Sequence, residues 1–479
     1  MEKDQVINNY IASFQSTMHD IESLEEFFHR SLKTVNDYNN QVIEECKIGI
    51  RIDELFQKVL EIEDINEKNK QIDEISEIQV SDSIYLKDIC KVDRFNDESK
   101  ALHFTMRSDL FRDPRYSPIE SHKKRGNVIK YRKILMESVI SHIVVVFENF
   151  LANVYRTLIF RDPIKYLGEQ TIQFADLLKN SGEAIKNKIE NVIDAGLRNS
   201  LDLLSTISER ETLNVDRYEK VTKVFTEVYY RRNAFIHTDG CVNKDYLKNV
   251  NKEYTKDLAI GQPLICKKAY LENAIAVLVK MVFSITYELL QKEEVASEPI
   301  SVLSEYFFNR LCDKQYEISR YVYLALSQYK NITFEERCMY RINYINACKQ
   351  LGDEKTLNKE LKHLDVSAMQ ARFVIAKHCL ANDTEKVYTL LSKTYPDSFN
   401  AISIRDWPIF INFRETEQYK QFVEEHSEDF IVEEIPFENG QEKYVDDALV
   451  GVPSEEGTKE NEENSTLKGK WVVKEEQKT

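Results

Sequence analysis

From Ile129 to Phe160 the chain runs without a glycine or proline, and large apolar residues return every third or fourth position. Leu135, Val139, Ile143, Val146, Phe147, Phe150, Leu151, Val154 and Leu158 make the series. Only a helix places residues so spaced on one face. A face this broad and this long needs other helices to cover it, which sets the architecture of whatever surrounds it. Lys268 to Leu290 is similarly apolar. Val6, Ile7, Tyr10, Ile11 and Phe14 repeat at helical spacing, as do Ile48, Ile52, Leu55, Phe56, Val59 and Leu60. Glycine (12) and proline (9) are scarce in 479 residues, which disfavours sandwiches and barrels built on many tight turns. The expectation is an all-α protein.

Four regions follow from the patterning. Residues 1–126 read as two or three amphipathic helices and then a basic loop. Residues 127–292 read as a four- to five-helix bundle, with a long first helix, shorter helices near Ile172–Leu178 and Ile185–Leu197, a helix ending near His237, and a long last helix. In residues 299–432 the pattern changes to short helix pairs. Ile345–Asp353 aligns with Ile375–Asp383 thirty residues on, Leu357 then matches Val387, and Leu361 matches Leu391. This resembles a degenerate tetratricopeptide-like array of helical hairpins, a surface for a protein partner. Residues 433–479 are acidic and poor in aromatics, the composition of a disordered tail.

The formal net charge is −16, so the surface as a whole does not attract a polyanion. Nucleic acid would need a local basic patch. Lys123, Lys124, Arg125 and Lys130, with Arg107, Arg112, Arg115, Arg132 and Lys133 nearby and Tyr116 and Tyr131 interleaved, form the one concentrated example. The eight cysteines are scattered without metal-ligand spacing, consistent with free thiols in a reducing compartment. Met1-Glu2-Lys3-Asp4-Gln5 does not read as a signal peptide, and none is expected. The most apolar stretch, Ile140–Ile159, is interrupted by His142, Glu148, Asn149, Asn153 and Arg156. A soluble cytoplasmic protein without a membrane partner is expected.

The chemistry concentrates in Tyr229-Tyr230-Arg231-Arg232-Asn233-Ala234-Phe235-Ile236-His237-Thr238-Asp239-Gly240. Asn233 and His237, four apart, share a helix face, and Arg232 flanks it, about 140° from His237. Phe235 and Ile236 are expected to face a core, and Gly240 to close the helix. Two other Arg/His pairs have comparable spacing. Arg115 and His122 are separated by Pro118, which interrupts a helix, and Arg372 and His378 fall in a hairpin helix.

Arg232 to His237, with a polar residue directly after the Arg and a turn after the His, resembles the active-site signature of the HEPN superfamily. Its members are mostly metal-independent ribonucleases of toxin–antitoxin and phage-defence systems. The helix order over roughly 127–292 resembles their bundle, and Gly240-Cys241-Val242-Asn243 through Tyr246 resembles a run that follows the His in several groups. The resemblance implies that Arg232, His237 and Asn233 are catalytic, with Glu148 on the long helix orienting Arg232 or His237. Arg231 also lies within the family's spacing, and is expected with the basic cluster at the RNA. No metal or cofactor is implied. Expected partners are RNA, with transfer RNA among the candidates, a second copy of the chain, and a protein trigger or antitoxin at the hairpins. The alternative from another class is a non-catalytic helical scaffold or dimerisation module that binds a protein or nucleotide.

Overall fold

In the computed structural model, residues 2–81, 83–95, 102–168, 170–214 and 217–430 are described. The expected tail, 433–479, lies outside them. Residues up to Phe430 form one compact unit.

The N-terminal region opens with α1 (Lys3–Glu45), α2 (Lys47–Leu60) and α3 (Ile65–Ser76). Two short antiparallel pairs follow, β1 (Gln79–Ser81) with β2 (Ile84–Tyr85), and β3 (Cys90–Val92) with β4 (Phe104–Met106), around a single turn of helix, α4 (Leu86–Ile89). Helix α5 (Pro118–Arg161) comes next, capped by the Ser117 hydroxyl and started by Pro118. Then follow α6 (Pro163–Leu167), α7 (Phe174–Leu197), α8 (Ser200–Glu211), α9 (Glu219–Thr238), α10 (Lys244–Asn249), α11 (Lys252–Thr255) and α12 (Lys268–Lys292). The all-α expectation holds, with four very short strands among the described residues.

Two boundaries differ from the sequence reading. The first concerns residues 126 and 127. Helix α5 runs through them, because Ser121, Val128, Leu135 and Met136 already sit on its buried face and Gly126 meets no obstacle inside a helix. Moreover, α1 does not belong to a separate lobe. Val6, Tyr10, Phe14, Met18, Ile21, Leu24 and Phe28 pack into the same core as α5, α9 and α12. Helices α1 and α5 run antiparallel, pinned by Arg132 to Asn36 at 2.8 Å and Lys124 to Glu45 at 3.0 Å. Only α2 to α4 and the strands form a small core of their own, around Ile52, Phe56, Ile75 and Leu86.

The second concerns residue 299. Helices α13 (Ser297–Cys312) and α14 (Tyr316–Leu326) place Phe307, Tyr323 and Leu326 in the bundle core. Helix α15 (Phe334–Gln350) divides its faces. Tyr340 and Ala347 join the bundle, whereas Ile342 and Ile345 join a second core. That second core is completed by α16 (Glu354–His363), α17 (Ala371–Leu380), α18 (Thr384–Thr394), α19 (Ala401–Asp406), α20 (Ile411–Arg414) and α21 (Glu417–Glu425). The hairpin repeat is present. Lys314, Gly352 and Asn382 each take a left-handed conformation in the turn. The next residue in each case donates a backbone hydrogen bond five positions back, Gln315 to Arg310, Asp353 to Cys348 and Asp383 to His378.

Helices α5 and α12 contain 18-residue windows of mean hydropathy 1.7 and 1.5, long and apolar enough by length and composition alone to cross a membrane. In this fold 56% and 83% of those windows are buried, so packing accounts for much of their character. The shorter expected helices merge into α7, whose backbone breaks at Asn180, and α8 is an addition. Glu211 at the end of α8 locks three elements together. Its carboxylate takes Arg161 of α5 at 2.6 Å and Lys165 at 2.7 Å, and the Tyr166 hydroxyl donates to it, while Arg161 also reaches Glu293 at 2.6 Å.

Candidate active site

Helix α9 carries the motif against the bundle because Phe225 and Val228 on its inner face are fully buried, with the Phe225 ring 4.4 Å from that of Phe147 on α5. Asp239 and Gly240 both take positive φ, 49° and 75°. The Gly240 amide donates to the Ala234 carbonyl at 3.1 Å and closes the helix. Gly240 is required twice over, since a Cβ there would stand 2.6 Å from the Phe235 ring. Beyond it the backbone is fixed to residues 261–264. Val242 donates to Gln262 at 2.9 Å, Gly261 to Val242 at 2.9 Å and Leu264 to Gly240 at 2.8 Å. Asn243 caps α10, and Tyr246 on α10 is buried.

The two arginines diverge. Arg232 turns to α5, where its Nη2 donates to Glu148 Oε1 at 2.8 Å. Its guanidinium lies 5.4 Å from the Tyr229 ring centre, and only 17% of the side chain is exposed. The Nε–H is buried without a hydrogen-bond partner. Burial pushes the Glu148 carboxyl up, and the Arg232 charge opposes that only in part. Ser200 Oγ, on α8, stands 3.5 Å from the same carboxylate oxygen. The expected acid on the long helix therefore does meet the motif arginine.

Arg231, expected with the basic cluster, is enclosed and paired instead, its side chain 13% exposed. Its Nε donates to Glu227 Oε1 at 2.8 Å and its Nη1 to the Ile265 carbonyl at 3.1 Å, and its guanidinium stacks 4.3 Å over the Tyr270 ring. Glu227 also receives the hydroxyls of Tyr246 at 2.5 Å and Tyr270 at 2.6 Å. Burial and then the Glu227 charge push both phenols up, which keeps them donors. This cluster ties the 241–270 segment to α9. The Glu227–Arg231 spacing, four residues on one helix, was the readable sign that Arg231 had a partner.

Asn233 is half-buried and His237 exposed, one turn apart, and neither side chain has a hydrogen-bond partner among the described residues. Ile236 differs from the expectation. It is 55% exposed, and Ala234 takes the core position. With Phe225 and Val228 facing inward, the helix period brings Ala234 and Phe235 round to the core and leaves Ile236 beside His237.

The basic residues lie elsewhere. Lys123, Lys124, Arg125 and Lys130 occupy the N-terminal third of α5, with Lys130 roughly 27 Å along the axis from Glu148 and the others farther. Three of them have acidic neighbours, Lys123 with Glu120 at 3.9 Å, Lys124 with Glu45 at 3.0 Å and Arg125 with Glu54 at 3.9 Å. The basic segment nonetheless touches the motif through Lys133, whose Nζ lies 2.8 Å from Asp239.

A mostly enclosed arginine fixed by a carboxylate, on one helix end with an exposed imidazole and a half-buried amide, can hold a phosphate oxygen and move a proton. Comparison with protein-family models, curated proteins and solved structures gave no match for this chain.

Proposed function

We propose that the chain is a metal-independent endoribonuclease of HEPN type, working as a homodimer. The reading rests above all on one arrangement. Glu148 holds Arg232 in place from a second helix, while the half-buried Asn233 and the exposed His237 lie on the same α9 end without hydrogen-bond partners among the described residues. Lys133–Asp239 and Glu148–Arg232 span the α5/α9 seam. Between those positions Ile134, Val145 and Ile236 are 59%, 41% and 55% exposed. A second copy covering them would bring two motif ends together.

RNA supplies its own nucleophile. The 2′-oxygen attacks the adjacent phosphorus as its proton leaves to a base, and the bond to the 5′-oxygen breaks as that oxygen takes a proton. A 2′,3′-cyclic phosphate and a 5′-hydroxyl result. His237 serves the proton transfers, and Arg232 steadies the charge on the phosphorane oxygens. Asn233 orients the phosphate, and Glu148 is a positioning residue for Arg232. A role as a toxin or anti-phage effector, with a protein trigger or antitoxin on the hairpins, belongs to the same proposal.

One observation favours the second reading, a scaffold that binds a protein or nucleotide. Arg232 is already paired and mostly enclosed, so an arriving phosphate must share it with Glu148. Purified protein incubated in EDTA with total RNA and with transfer RNA separates the two. Cleavage to cyclic-phosphate ends, lost in Arg232→Ala and His237→Ala with dimer and melting temperature retained, supports the enzyme. Cleavage unchanged in both variants, or absent from wild type in the presence and absence of infected-cell extract, refutes it.

A further inference from the structure

Beside the motif, between the end of α9 and the part of α5 that precedes Glu148, lies a cavity of about 600 Å³. That is within the range of small-molecule sites, roughly 300–1,000 Å³. Its apolar lining comes from Val128 and Met136 on α5, Phe235 on α9, and Leu264. The walls are preformed. The Phe235 ring is pressed against Gly240, and the Leu264–Gly240 and Val242–Gln262 backbone hydrogen bonds fix the strand-like wall.

Charge at this cavity is unlike that of the rest of the molecule. Arg125, Arg132 and Lys133 line it together with Glu137 and Asp239. Lys133 is taken by the two acids, Asp239 at 2.8 Å and Glu137 at 3.7 Å. Arg132 is exposed and hydrogen-bonds only a neutral group, Asn36. Arg125 has one distant acid, Glu54 at 3.9 Å, outside the lining. The lining therefore keeps a surplus of one positive charge on a chain of net charge −16, directly above an apolar floor.

From this geometry we infer that the cavity is a binding site for a small amphipathic anion, with an apolar body on Met136, Phe235 and Leu264 and a single anionic head at Arg132 and Arg125. Desolvated apolar surface supplies affinity, and the guanidinium groups supply orientation and charge selection. Because Phe235 and Asp239 flank His237 on α9, an occupant ties the C-terminal end of that helix to α5. The site stands independently of any ribonuclease activity.

Full-length protein is titrated with anilinonaphthalene sulfonate as the fluorescent probe and decanoate as competitor. Wild type should show a saturable, decanoate-displaceable site, one per chain. Arg132→Glu reverses the head-group charge, and Ile129→Trp, at an exposed rim position, fills the entrance without touching the core. Each should weaken the displaceable binding about tenfold or more. Lys223→Glu, in the separate groove between α8 and α9, should leave it unchanged. Absence of displaceable binding in wild type, binding that survives in both cavity variants, or binding lost in Lys223→Glu overturns the assignment.

Discussion

Gly240→Ala isolates how the end of the motif helix is built. Two separate costs apply. The backbone sits at φ +75°, a left-handed conformation that costs an L-residue about 1–2 kcal/mol over glycine. The new methyl would stand 2.6 Å from the Phe235 ring, which must shift, an overpacking cost of about 1–3 kcal/mol. Gly261 provides the control. It has φ +86°, yet an added Cβ there meets nothing within 4 Å. Gly261→Ala should therefore lose only the backbone part, about 1 kcal/mol, and Gly240→Ala about 3 kcal/mol in sum. Urea midpoints followed by circular dichroism measure both. Phe235→Ala combined with Gly240→Ala should recover the steric part, so the double variant loses less than the two singles added together. If Gly240→Ala costs no more than Gly261→Ala, the Phe235 contact is not the constraint and the account of the helix end fails.

Three further outcomes follow from other sites. Glu211 is 1% exposed, and although burial pushes its carboxyl up, the hydrogen bonds from Arg161, Lys165 and Tyr166 together outweigh it, to about 2. A lowered value stabilises the fold above the unfolded range and is lost as pH falls from about 4.5 toward 2. Wild type should lose about 3 kcal/mol more than Glu211→Gln over that interval in acid-titration melts. Glu148 has the opposite sign, so its contribution is lost as pH rises from about 4.5 through its raised value. Glu148→Gln should flatten that slope, and should change neutral-pH stability by less than about 2 kcal/mol because an amide can still accept from Arg232. A loss above about 3 kcal/mol would mark the pair as a net stabiliser instead. Glu227→Leu strands Arg231 and two tyrosine hydroxyls, so it should cost about 3–5 kcal/mol and make the 241–266 segment the first site of limited proteolysis.

What could be read from sequence was whatever rests on periodicity. The apolar spacing of α5 and α12, the thirty-residue hairpin match, and the pairing of Asn233 with His237 on one face all follow from the helical repeat, and they stand in the fold. Glu148 was singled out for a different reason, as the one acid in the most apolar part of α5 at the place where the resemblance implies an acid near the Arg/His pair, and it meets Arg232. Boundaries set by packing were not legible. Residues up to 126 read as a basic loop because apolar periodicity weakens there, yet α1 lies along α5 and the helix continues through that point. Arg231 and Arg232 are neighbours in sequence with similar spacing to His237. Their separate fates depend on a carboxylate one turn back and on one 84 residues away, and only the first is visible in a local pattern. Ile236 escaped because a β-branched apolar residue carries no sign of which side of the helix is dry.

Helix α5 spans 44 residues, about 66 Å, with its first turns beside the small N-terminal core and its middle against the motif. One continuous helix therefore meets α2 near its start, where the Gly49 amide donates to the Arg115 carbonyl at 2.9 Å just ahead of the Ser117 cap, and meets Arg232 in its middle through Glu148. Gly126 is the one glycine in α5 and an added Cβ there meets nothing within 4 Å, so alanine at that position should stabilise the helix by about 0.5–1 kcal/mol.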